Sequence, residues 1–505
     1  MSASKRGRGR PWGFVPALFV LALSALACDR PSAQKATIEL ASCRPDGFAE
    51  EVLCGALTRP ENPAAPDGRA IDLKIVVLPA RASHPMPDPL YVIAGGPGQS
   101  ASGVAPMLNG LWRQIRRQRD VVFVDQRGTG GSNRLDCEDE RARQPIALRL
   151  VHDEEADVRA LDACRQSLRQ KADLGLYGTS LAVDDLEAVR RALGHGQINL
   201  WGISYGTRVA LAYLGRHGER VRTVTLDAVV PPDVRVFETM GKNAARALEL
   251  TFADCARDAA CAAAFPDLRA RFFALVDRLQ REPIKAAIPD PRTGQIAEVE
   301  ITARSFAAIV RNVLYDPDVT ALLPLTIAQL EKGDARGFLA QADALTKSTE
   351  VAEGMHLSVY CGEEFDRLSS GGGARAASAL PLSQAEELFG GQLVEGYAKS
   401  CAGWPRGEVN ASLFQPVVSD VPVLILSGAL DPVTPPEFGD QVGKTLSNAR
   451  HVVAPGASHG VSARGCAAKV IARFIDKALP ADLDAACIET PGRPAFFLDF
   501  AGPKP

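Results

Sequence analysis

One serine in the chain stands in a sequence pattern that could activate its hydroxyl group. Residues Gly202 to Gly206 read Gly-Ile-Ser-Tyr-Gly and directly follow the short apolar run 198–201. Small residues on both sides of a serine allow a sharp turn between a strand and a helix, and such a turn exposes the hydroxyl. The pattern predicts a strand over 198–201 and a helix over 208–214. Ser204 is therefore the candidate nucleophile.

Histidine is the usual base that activates a serine, and an acidic residue must hold that histidine in place. The chain has seven histidines. His459 is the preferred candidate because it lies in a loop of small residues directly after a predicted strand. The other histidines after the serine lie at a predicted helix end, in a predicted lid and at the start of that strand; they are His217, His356 and His451.

Asp431 is the candidate for the orienting acid. It follows the apolar, β-rich run 422–427 and precedes Pro432, which favours an extended turn. In one known arrangement of serine hydrolases the chain order is serine, then acid, then histidine. Ser204, Asp431 and His459 have that order. The alternative is that Asp431 is an ordinary residue of an Asp-Pro turn.

Two backbone amides are candidates for stabilising negative charge on a reacting carbonyl oxygen. One is the N–H of Tyr205, the residue after the candidate nucleophile. The other is the N–H of Gly96, in the glycine-rich loop that follows a predicted strand over 89–93. A plain turn is the alternative interpretation of this loop.

Five strings of residues are informative as a set. They are Gly-Gly-Pro-Gly-Gln-Ser from residue 95, Asp-Gln-Arg-Gly-Thr-Gly-Gly-Ser from residue 125, Gly-Ile-Ser-Tyr-Gly-Thr from residue 202, Gly-Ala-Leu-Asp-Pro-Val-Thr from residue 428 and Gly-Ala-Ser-His-Gly from residue 456. Together they resemble the proline iminopeptidase and tripeptidyl aminopeptidase branch of the α/β-hydrolases. The Asp-Gln-Arg-Gly string is specific to that branch, and the likeness covers most of the chain after about residue 40.

The resemblance implies an α/β-hydrolase fold, in which helices cover both faces of a mostly parallel central sheet. It also implies that Ser204 is the nucleophile, Asp431 the orienting acid and His459 the general base, with no cofactor. The substrate that it implies is a peptide with a free N-terminus.

Three further residues of these strings and their surroundings carry expectations. Asp125 and Arg127 are expected to form a structural pair that braces the site. Ala94 stands where members of the family often have histidine. The resemblance therefore implies a change in the packing of the oxyanion hole or in substrate preference.

Composition excludes some classes of function. The chain has 505 residues, enough for more than one domain, and a net charge of −3. No basic field points to nucleic acid. Metal binding is not expected, because the chain has neither a Cys-x-x-Cys pair nor a His-Glu-x-x-His string.

The N-terminus predicts export. Residues 1–27 resemble a signal peptide, since basic residues precede the apolar stretch 14–26, which is short for a membrane span. Cys28 follows a small-residue cleavage site and resembles the lipidated first residue of bacterial lipoproteins, with 28–36 as a tether. The prediction is a membrane-anchored protein that faces the periplasm or the outside. The alternative is a soluble periplasmic or secreted protein.

The cysteines support an oxidising compartment. The chain has eleven, and removing Cys28 leaves an even number, which favours disulfides in an exported protein. Pairing sequence neighbours predicts the bonds 43–54, 137–164, 255–261, 361–401 and 466–487.

The chain divides into three parts after the tether. Residues 37–234 and 416–505 are predicted to form the two halves of the hydrolase core. Residues 235–415 are rich in Ala, Leu and Arg at helical spacing and are predicted to form a mostly helical lid. Its segment 369–373 is a Ser/Gly loop. A lid can exclude water and restrict the shape of the ligand.

Two adjacent glutamates are candidates for binding the substrate. Glu363 and Glu364 follow Cys361-Gly362 and resemble the Cys-x-Glu-Asp string of tripeptidyl aminopeptidase-like proteins. The resemblance implies that a carboxylate here pairs with the free α-amino group of a peptide. The alternative is a solvated pair of glutamates.

Three functions are therefore compared. The favoured one is an exported aminopeptidase that releases N-terminal residues or tripeptides through an acyl-enzyme. The second is an esterase that uses the same triad. The third is a non-catalytic binding protein on a hydrolase scaffold, against which the intact set of serine, acid, histidine and glycine-rich loop argues.

Overall fold

The computed structural model describes residues 38–137, 154–289, 296–346, 351–365 and 383–503, together with residues 294 and 367. The predicted signal peptide 1–27, Cys28, the tether 28–36 and the Ser/Gly loop 369–373 lie outside the described residues.

In the described part of the chain, nine strands form one twisted sheet in the order β1-β2-β3-β5-β4-β6-β7-β10-β11. The pairs β1–β2, β2–β3 and β3–β5 are antiparallel, and the remaining pairs of neighbours in this sheet are parallel. The sheet strands are β1 (Ala41–Cys43), β2 (Val52–Pro60), β3 (Ala70–Leu78), β4 (Leu90–Ile93), β5 (Val121–Val124), β6 (Ile198–Ile203), β7 (Val221–Asp227), β10 (Val423–Gly428) and β11 (Ala449–Ala454). Two further strands, β8 (Ile284–Pro289) and β9 (Ile296–Ile301), form a separate antiparallel hairpin.

Helices connect the parallel strands, as crossovers in a parallel sheet require. The helices are α1 (Ala101–Val104), α2 (Asn109–Ile115), α3 (Glu154–Lys171), α4 (Thr179–Ala192), α5 (Tyr205–His217), α6 (Val236–Arg257), α7 (Ala259–Ala264), α8 (Leu268–Arg281), α9 (Ala303–Val313), α10 (Pro317–Thr320), α11 (Leu323–Glu331), α12 (Arg336–Thr346), α13 (Glu353–Val359), α14 (Gln384–Cys401), α15 (Pro436–Gly443), α16 (Ala467–Lys477) and α17 (Ala486–Glu489). None of the helices within the described ranges is both long enough and apolar enough to cross a membrane.

Both faces of the sheet are covered. In β4, Tyr91 and Ile93 belong to an apolar cluster that includes residues of α4 and α5. Their neighbours Leu90 and Val92 belong to a second cluster with residues of α2 and α16. Successive residues of a strand point to opposite faces, so β4 is buried on both sides and is apolar throughout. This mostly parallel sheet with helices on both faces is the fold class that the sequence predicted.

A long insertion separates two strands that are neighbours in the sheet. β7 pairs with β10, and the chain between them includes α6 to α14 and the β8–β9 hairpin. Residues 235–415 are called the inserted segment below. It has an apolar cluster of its own, to which Phe496 from the C-terminal part also contributes.

All five predicted disulfides are confirmed. Each joins a cysteine to its neighbour along the chain. The bonds are Cys43–Cys54, Cys137–Cys164, Cys255–Cys261, Cys361–Cys401 and Cys466–Cys487.

Candidate active site

Ser204 occupies a strained turn between β6 and α5. Its backbone has φ 55° and ψ −125°, a conformation that residues with side chains rarely adopt. Close packing requires small neighbours, because a methyl group on Gly202 would lie 2.5 Å from the carbonyl oxygen of Gly206. A methyl group on Gly206 would lie 2.3 Å from the carbonyl oxygen of Ile93 in β4. The geometry is that of a nucleophile elbow, which projects the serine hydroxyl beyond the sheet edge.

Asp431 and His459 meet beyond the carboxyl ends of β10 and β11. Nδ1 of His459 lies 2.9 Å from Oδ2 of Asp431. Asp431 is fully buried, and Thr434 donates to its carboxylate from the N–H at 2.8 Å and from the hydroxyl at 2.7 Å. When Nδ1 carries the proton of the neutral ring, Nε2 is free to accept one. The pair therefore presents the form of histidine that a general base requires.

The electrostatics of this pair favour the same roles. Burial raises the pKa of Asp431, but the charge and hydrogen bond of His459, together with the bonds from Thr434, bring it below the usual 3.8. Burial lowers the pKa of His459, but the Asp431 carboxylate raises it above the usual 6.5. Asp431 therefore stays ionised, and His459 binds a proton more readily than a free histidine does.

Asp227, which sequence reasoning missed, connects the turn at Ser204 to the histidine loop, residues 455–466 between β11 and α16. Its backbone oxygen accepts the N–H of Ser204 at 3.0 Å. Its carboxylate accepts the N–H groups of Val461 and Ser462, both at 2.8 Å, two and three residues after His459. Burial raises the pKa of Asp227, and these hydrogen bonds oppose that rise. The available signal was an acidic residue at the end of the strand after the elbow helix.

A second Ser-His-Asp arrangement involves His451, the alternative base nearest in the chain. Its Nε2 lies 2.9 Å from the hydroxyl of Ser427, and its Nδ1 lies 2.8 Å from Oδ1 of Asp440. Ser427 is fully buried within β10. A methyl group on Gly439 of α15 would lie 2.4 Å from the His451 ring. A substrate cannot reach this serine, so the arrangement is a packing contact.

The predicted oxyanion-hole residues lie beside the nucleophile. Gly96 and Tyr205 line the same cavity as Ser204. Tyr205 is the first residue of α5, so its N–H has no acceptor within the helix. Gly96 has φ 106° and precedes a cis peptide bond to Pro97. A methyl group on Gly95 would lie 3.1 Å from Cβ of Ser204, which places this loop where oxyanion donors are needed.

The cavity beside Ser204 is formed by the core and the inserted segment together. It has a volume of about 60 Å³. The core contributes Ser204 and the oxyanion loop, and the inserted segment contributes apolar, aromatic and acidic side chains that include Met240, Tyr315, Tyr360 and Glu364. His459 lies behind two lining residues, since its ring packs on Tyr315 and its Nδ1 lies 3.3 Å from the hydroxyl of Thr434. A serine and backbone donors at a cavity, with a histidine close by, are the groups that acyl transfer requires. Among the described residues, no cluster of three or more His, Cys, Asp or Glu side chains could hold a metal ion.

The structure separates the two neighbouring glutamates. Glu364 lines the cavity and forms an ion pair with Arg208 of α5. Glu363 accepts hydrogen bonds from the N–H of Thr179 at 2.5 Å and from its hydroxyl at 2.8 Å. That hydroxyl also lies 2.8 Å from the hydroxyl of Tyr205. Burial raises the pKa of Glu363 to about 6. Both glutamates are buried, so the alternative of a solvated pair is wrong.

Asp125 and Arg127 brace the surrounding loops, each with its own partner. Asp125 accepts the N–H of Ser102 at 2.8 Å and its hydroxyl at 2.9 Å. Arg127 donates two hydrogen bonds to Asp185, at 2.7 and 2.9 Å. The expected pairing of the two with each other is wrong, because the chain turns at Arg127 and directs the guanidinium to α4.

Comparison with known proteins agrees with this geometry. A family model described as alpha/beta hydrolase fold matches residues 88–263, and one described as TAP-like protein matches residues 386–487. Serine protease Hip1 from Mycobacterium tuberculosis is 26% identical over 425 residues, which cover 78% of this chain and 79% of Hip1. Tripeptidyl aminopeptidase from Streptomyces lividans is 29% identical over 225 residues, 41% of each protein.

Among solved structures, proline iminopeptidase from Mycobacterium smegmatis aligns with 84% of this chain and 98% of its own. The two chains are 15% identical, with a TM-score of 0.37. Together with the sheet described above, the family models and the curated relatives support one conclusion: the chain has the α/β-hydrolase fold, its C-terminal part is similar to TAP-like proteins, and it is a hydrolase.

Proposed function

We propose that this hydrolase is an exported serine aminopeptidase that releases N-terminal residues or tripeptides from peptides. The observation that carries the proposal is the 2.9 Å contact between His459 and Asp431, in loops that Asp227 joins to the strained turn of Ser204. Ser204 lines a cavity that also contains the buried acid Glu364. The names of the curated relatives, a serine protease and a tripeptidyl aminopeptidase, support the same class of reaction.

The mechanism is acyl transfer with His459 moving the proton. Nε2 of His459 takes the hydroxyl proton as Oγ of Ser204 attacks the peptide carbonyl, and Asp431 stabilises the imidazolium. The N–H groups of Tyr205 and Gly96 stabilise the oxyanion. His459 then donates the proton to the departing amine. Water, deprotonated by the same histidine, hydrolyses the acyl-enzyme.

Glu364 is the residue that we assign to the free N-terminus of the substrate. One of its carboxylate oxygens, Oε1, accepts hydrogen bonds from the guanidinium groups of Arg208 and Arg367. The other, Oε2, accepts the N–H of Val236 at 3.2 Å. A carboxylate oxygen can accept about two hydrogen bonds, so Oε2 keeps a position for an ammonium group. Glu363 contacts the cavity indirectly: it accepts hydrogen bonds from Thr179, and the hydroxyl of Thr179 contacts that of Tyr205, which lines the cavity.

The domain and compartment proposals follow from the same features. The inserted segment, residues 235–415, serves as the lid of the core formed by 37–234 and 416–505. Its residues contribute to the wall of the cavity beside Ser204. Five disulfides favour an oxidising compartment. The proposed anchor is a lipid on Cys28.

The test is a substrate panel applied to the wild type and Ser204→Ala. Chromogenic tripeptidyl amides with a free N-terminus, their N-acetylated counterparts and short esters are compared. We expect the free peptides to be preferred, and Ser204→Ala to lower kcat on the order of 10⁶-fold by analogy with other triads.

Ser427→Ala is the matched control, because it removes the serine from the second Ser-His-Asp arrangement. It should leave kcat within a small factor of the wild type. Activity that survives in Ser204→Ala would rule out the proposed nucleophile. Hydrolysis of the esters alone would replace the aminopeptidase by an esterase.

A further inference from the structure

Helix α6 of the inserted segment contacts the loop that carries Asp431, residues 429–435 between β10 and α15, which is called the acid loop below. Nδ2 of Asn243 donates to the carbonyl oxygen of Val433 at 2.7 Å. The guanidinium of Arg246 donates to the carbonyl oxygens of Ala429 at 3.0 Å and Asp431 at 2.9 Å. Asn243 and Arg246 lie three residues apart and therefore on one face of the helix. The helix thus holds three alternate carbonyl groups of the acid loop.

The core holds the opposite side of the same loop. The N–H of Ala429 donates to the carbonyl oxygen of Ala454 at 3.0 Å, and the N–H of Leu430 donates to that of Ala457 at 3.0 Å. Two donors of the loop are therefore satisfied by the core, and three of its acceptors by α6. A buried backbone acceptor without a partner is costly, so the loop depends on both sides for its position.

The histidine loop also rests on the inserted segment. The hydroxyl of Ser458 donates to the carbonyl oxygen of Leu314 at 2.6 Å. The N–H of His459 donates to the carbonyl oxygen of Tyr315 at 3.3 Å. The inserted segment therefore contacts both loops whose side chains form the Asp–His pair.

We propose that Asn243 and Arg246 are positioning residues for the triad. They fix the backbone of the acid loop, and through it the orientation of Asp431 toward His459. The inference rests on the proposed function for the roles of Asp431 and His459. A displacement of a catalytic group on the order of 1 Å costs roughly 10²-fold in rate, which sets the size of the expected effect.

The test compares Arg246→Met with a matched control, Arg278→Met. Arg278 also donates to two backbone carbonyl oxygens, those of Leu330 at 2.8 Å and Glu331 at 3.1 Å, but wholly within the inserted segment. Two quantities are measured for each folded protein. One is the rate at which a fluorophosphonate labels Ser204, and the other is the downfield proton resonance of the His459 Nδ1–H.

We expect Arg246→Met to slow labelling by roughly 10²-fold and to shift or broaden the resonance. Arg278→Met should lower only the melting temperature. Arg246→Lys keeps the charge and can reach one carbonyl, so it should recover part of the rate. If Arg246→Met does not fold, Asn243→Ala carries the test, with a smaller loss of rate and the same change in the resonance.

The outcomes separate the two proposals. A wild-type protein that the fluorophosphonate does not label contradicts the proposed catalytic role of Ser204. The resonance still reports on the positioning residues in that case. A resonance and a labelling rate that stay at wild-type values in Arg246→Met, or in Asn243→Ala where that variant carries the test, would overturn the positioning role.

Discussion

Asp431 carries a fully buried charge that the surrounding groups satisfy with four hydrogen bonds. Oδ1 accepts the N–H groups of Val433 and Thr434, both at 2.8 Å. Oδ2 accepts the hydroxyl of Thr434 at 2.7 Å and Nδ1 of His459 at 2.9 Å. Charge-assisted hydrogen bonds of this kind offset the cost of burying a carboxylate. The fixed carboxylate in turn determines which nitrogen of His459 is free.

The acid limb of the pH profile follows from this pair. Only neutral His459 can act as a base, and Asp431 raises its pKa above 6.5. The value of kcat/KM for the wild type should therefore rise with pH through a midpoint above 6.5. Asp431→Asn should lower that pKa and reduce kcat by roughly 10⁴-fold, since the neutral amide no longer favours the imidazolium or fixes the tautomer.

Two measurements check this prediction: the pH dependence of kcat/KM and an NMR titration of the His459 ring. Asp440→Asn is the control, because it removes the carboxylate from the other Asp–His pair. It should leave the profile in place. An NMR titration in which Asp431→Asn leaves the pKa of His459 unchanged would contradict the argument.

The unit of β6, the serine turn and α5 shows how an element positions a side chain. The turn requires a strained conformation at Ser204, which costs roughly 1–3 kcal/mol and persists only where the surroundings enforce it. Here Gly202 and Gly206 allow α5 to pack directly on β6 and on the end of β4. The glycines therefore matter for the space that they leave rather than for their own backbone angles.

Gly206→Ala tests this packing, with Gly218→Ala as its control. The new methyl group would lie 2.3 Å from a backbone oxygen of β4, so the variant should lose about 3 kcal/mol of unfolding free energy. Gly218, at the other end of α5, has no atom within 4 Å of the added methyl position. Its variant should change stability by less than about 0.5 kcal/mol.

Urea unfolding, with midpoints and slopes compared, measures both effects. Equal stabilities for the two variants would show that α5 can shift away from β4 without cost. Loss of stability in Gly218→Ala alone would contradict the packing argument as well.

Elements with a strong local pattern could be predicted from the sequence. The buried runs around β4, β6 and β10 are mostly apolar and are bounded by turn residues, so the sequence predicts their positions to within a few residues. The β8–β9 hairpin was missed inside a segment predicted as mostly helical. In β9 the buried residues Val299 and Ile301 alternate with Glu298 and Glu300, but this alternation is too short to stand out from the helical pattern around it.

Contacts between distant residues were beyond the reach of sequence patterns. Asp227 and Arg246 act through backbone groups more than 180 residues away, and no spacing rule connects such positions. The neighbours Glu363 and Glu364 were treated as one unit. They lie in the π-helical turn Tyr360–Glu364, in which successive side chains point in different directions, so one contacts Thr179 and the other lines the cavity.

At the scale of the whole molecule, the site lies where the core and the inserted segment meet. Most of the inserted segment packs in a cluster of its own, while Ala352, Met355 and Trp404 of the same segment pack in a cluster that covers the sheet. Polar contacts join the parts at the oxyanion loop too. His356 donates from Nδ1 to the carbonyl oxygen of Pro97 at 3.0 Å, and the N–H of Ala352 donates to that of Gly98 at 2.9 Å.

The tautomer of His356 follows from these partners. A carbonyl oxygen can only accept, so Nδ1 carries the proton and Nε2 accepts the hydroxyl of Tyr397 at 2.7 Å. Burial lowers the pKa of His356 to about 4, which keeps the ring neutral at the pH at which the proposed base, His459, would accept a proton. The loops that carry Gly96, Asp431 and His459 all contact the inserted segment, so their positions depend on that segment being folded.

This dependence predicts that the core and the inserted segment unfold together. Hydrogen exchange measured by mass spectrometry at increasing urea, with the disulfides intact, follows peptides from α9 and from β7. Contacts at all three loops couple the two clusters, so both peptides should lose protection at the same urea concentration, where activity is also lost. Earlier exposure of α9, with β7 still protected, would instead show that the inserted segment is an independent unit that docks onto a preformed core.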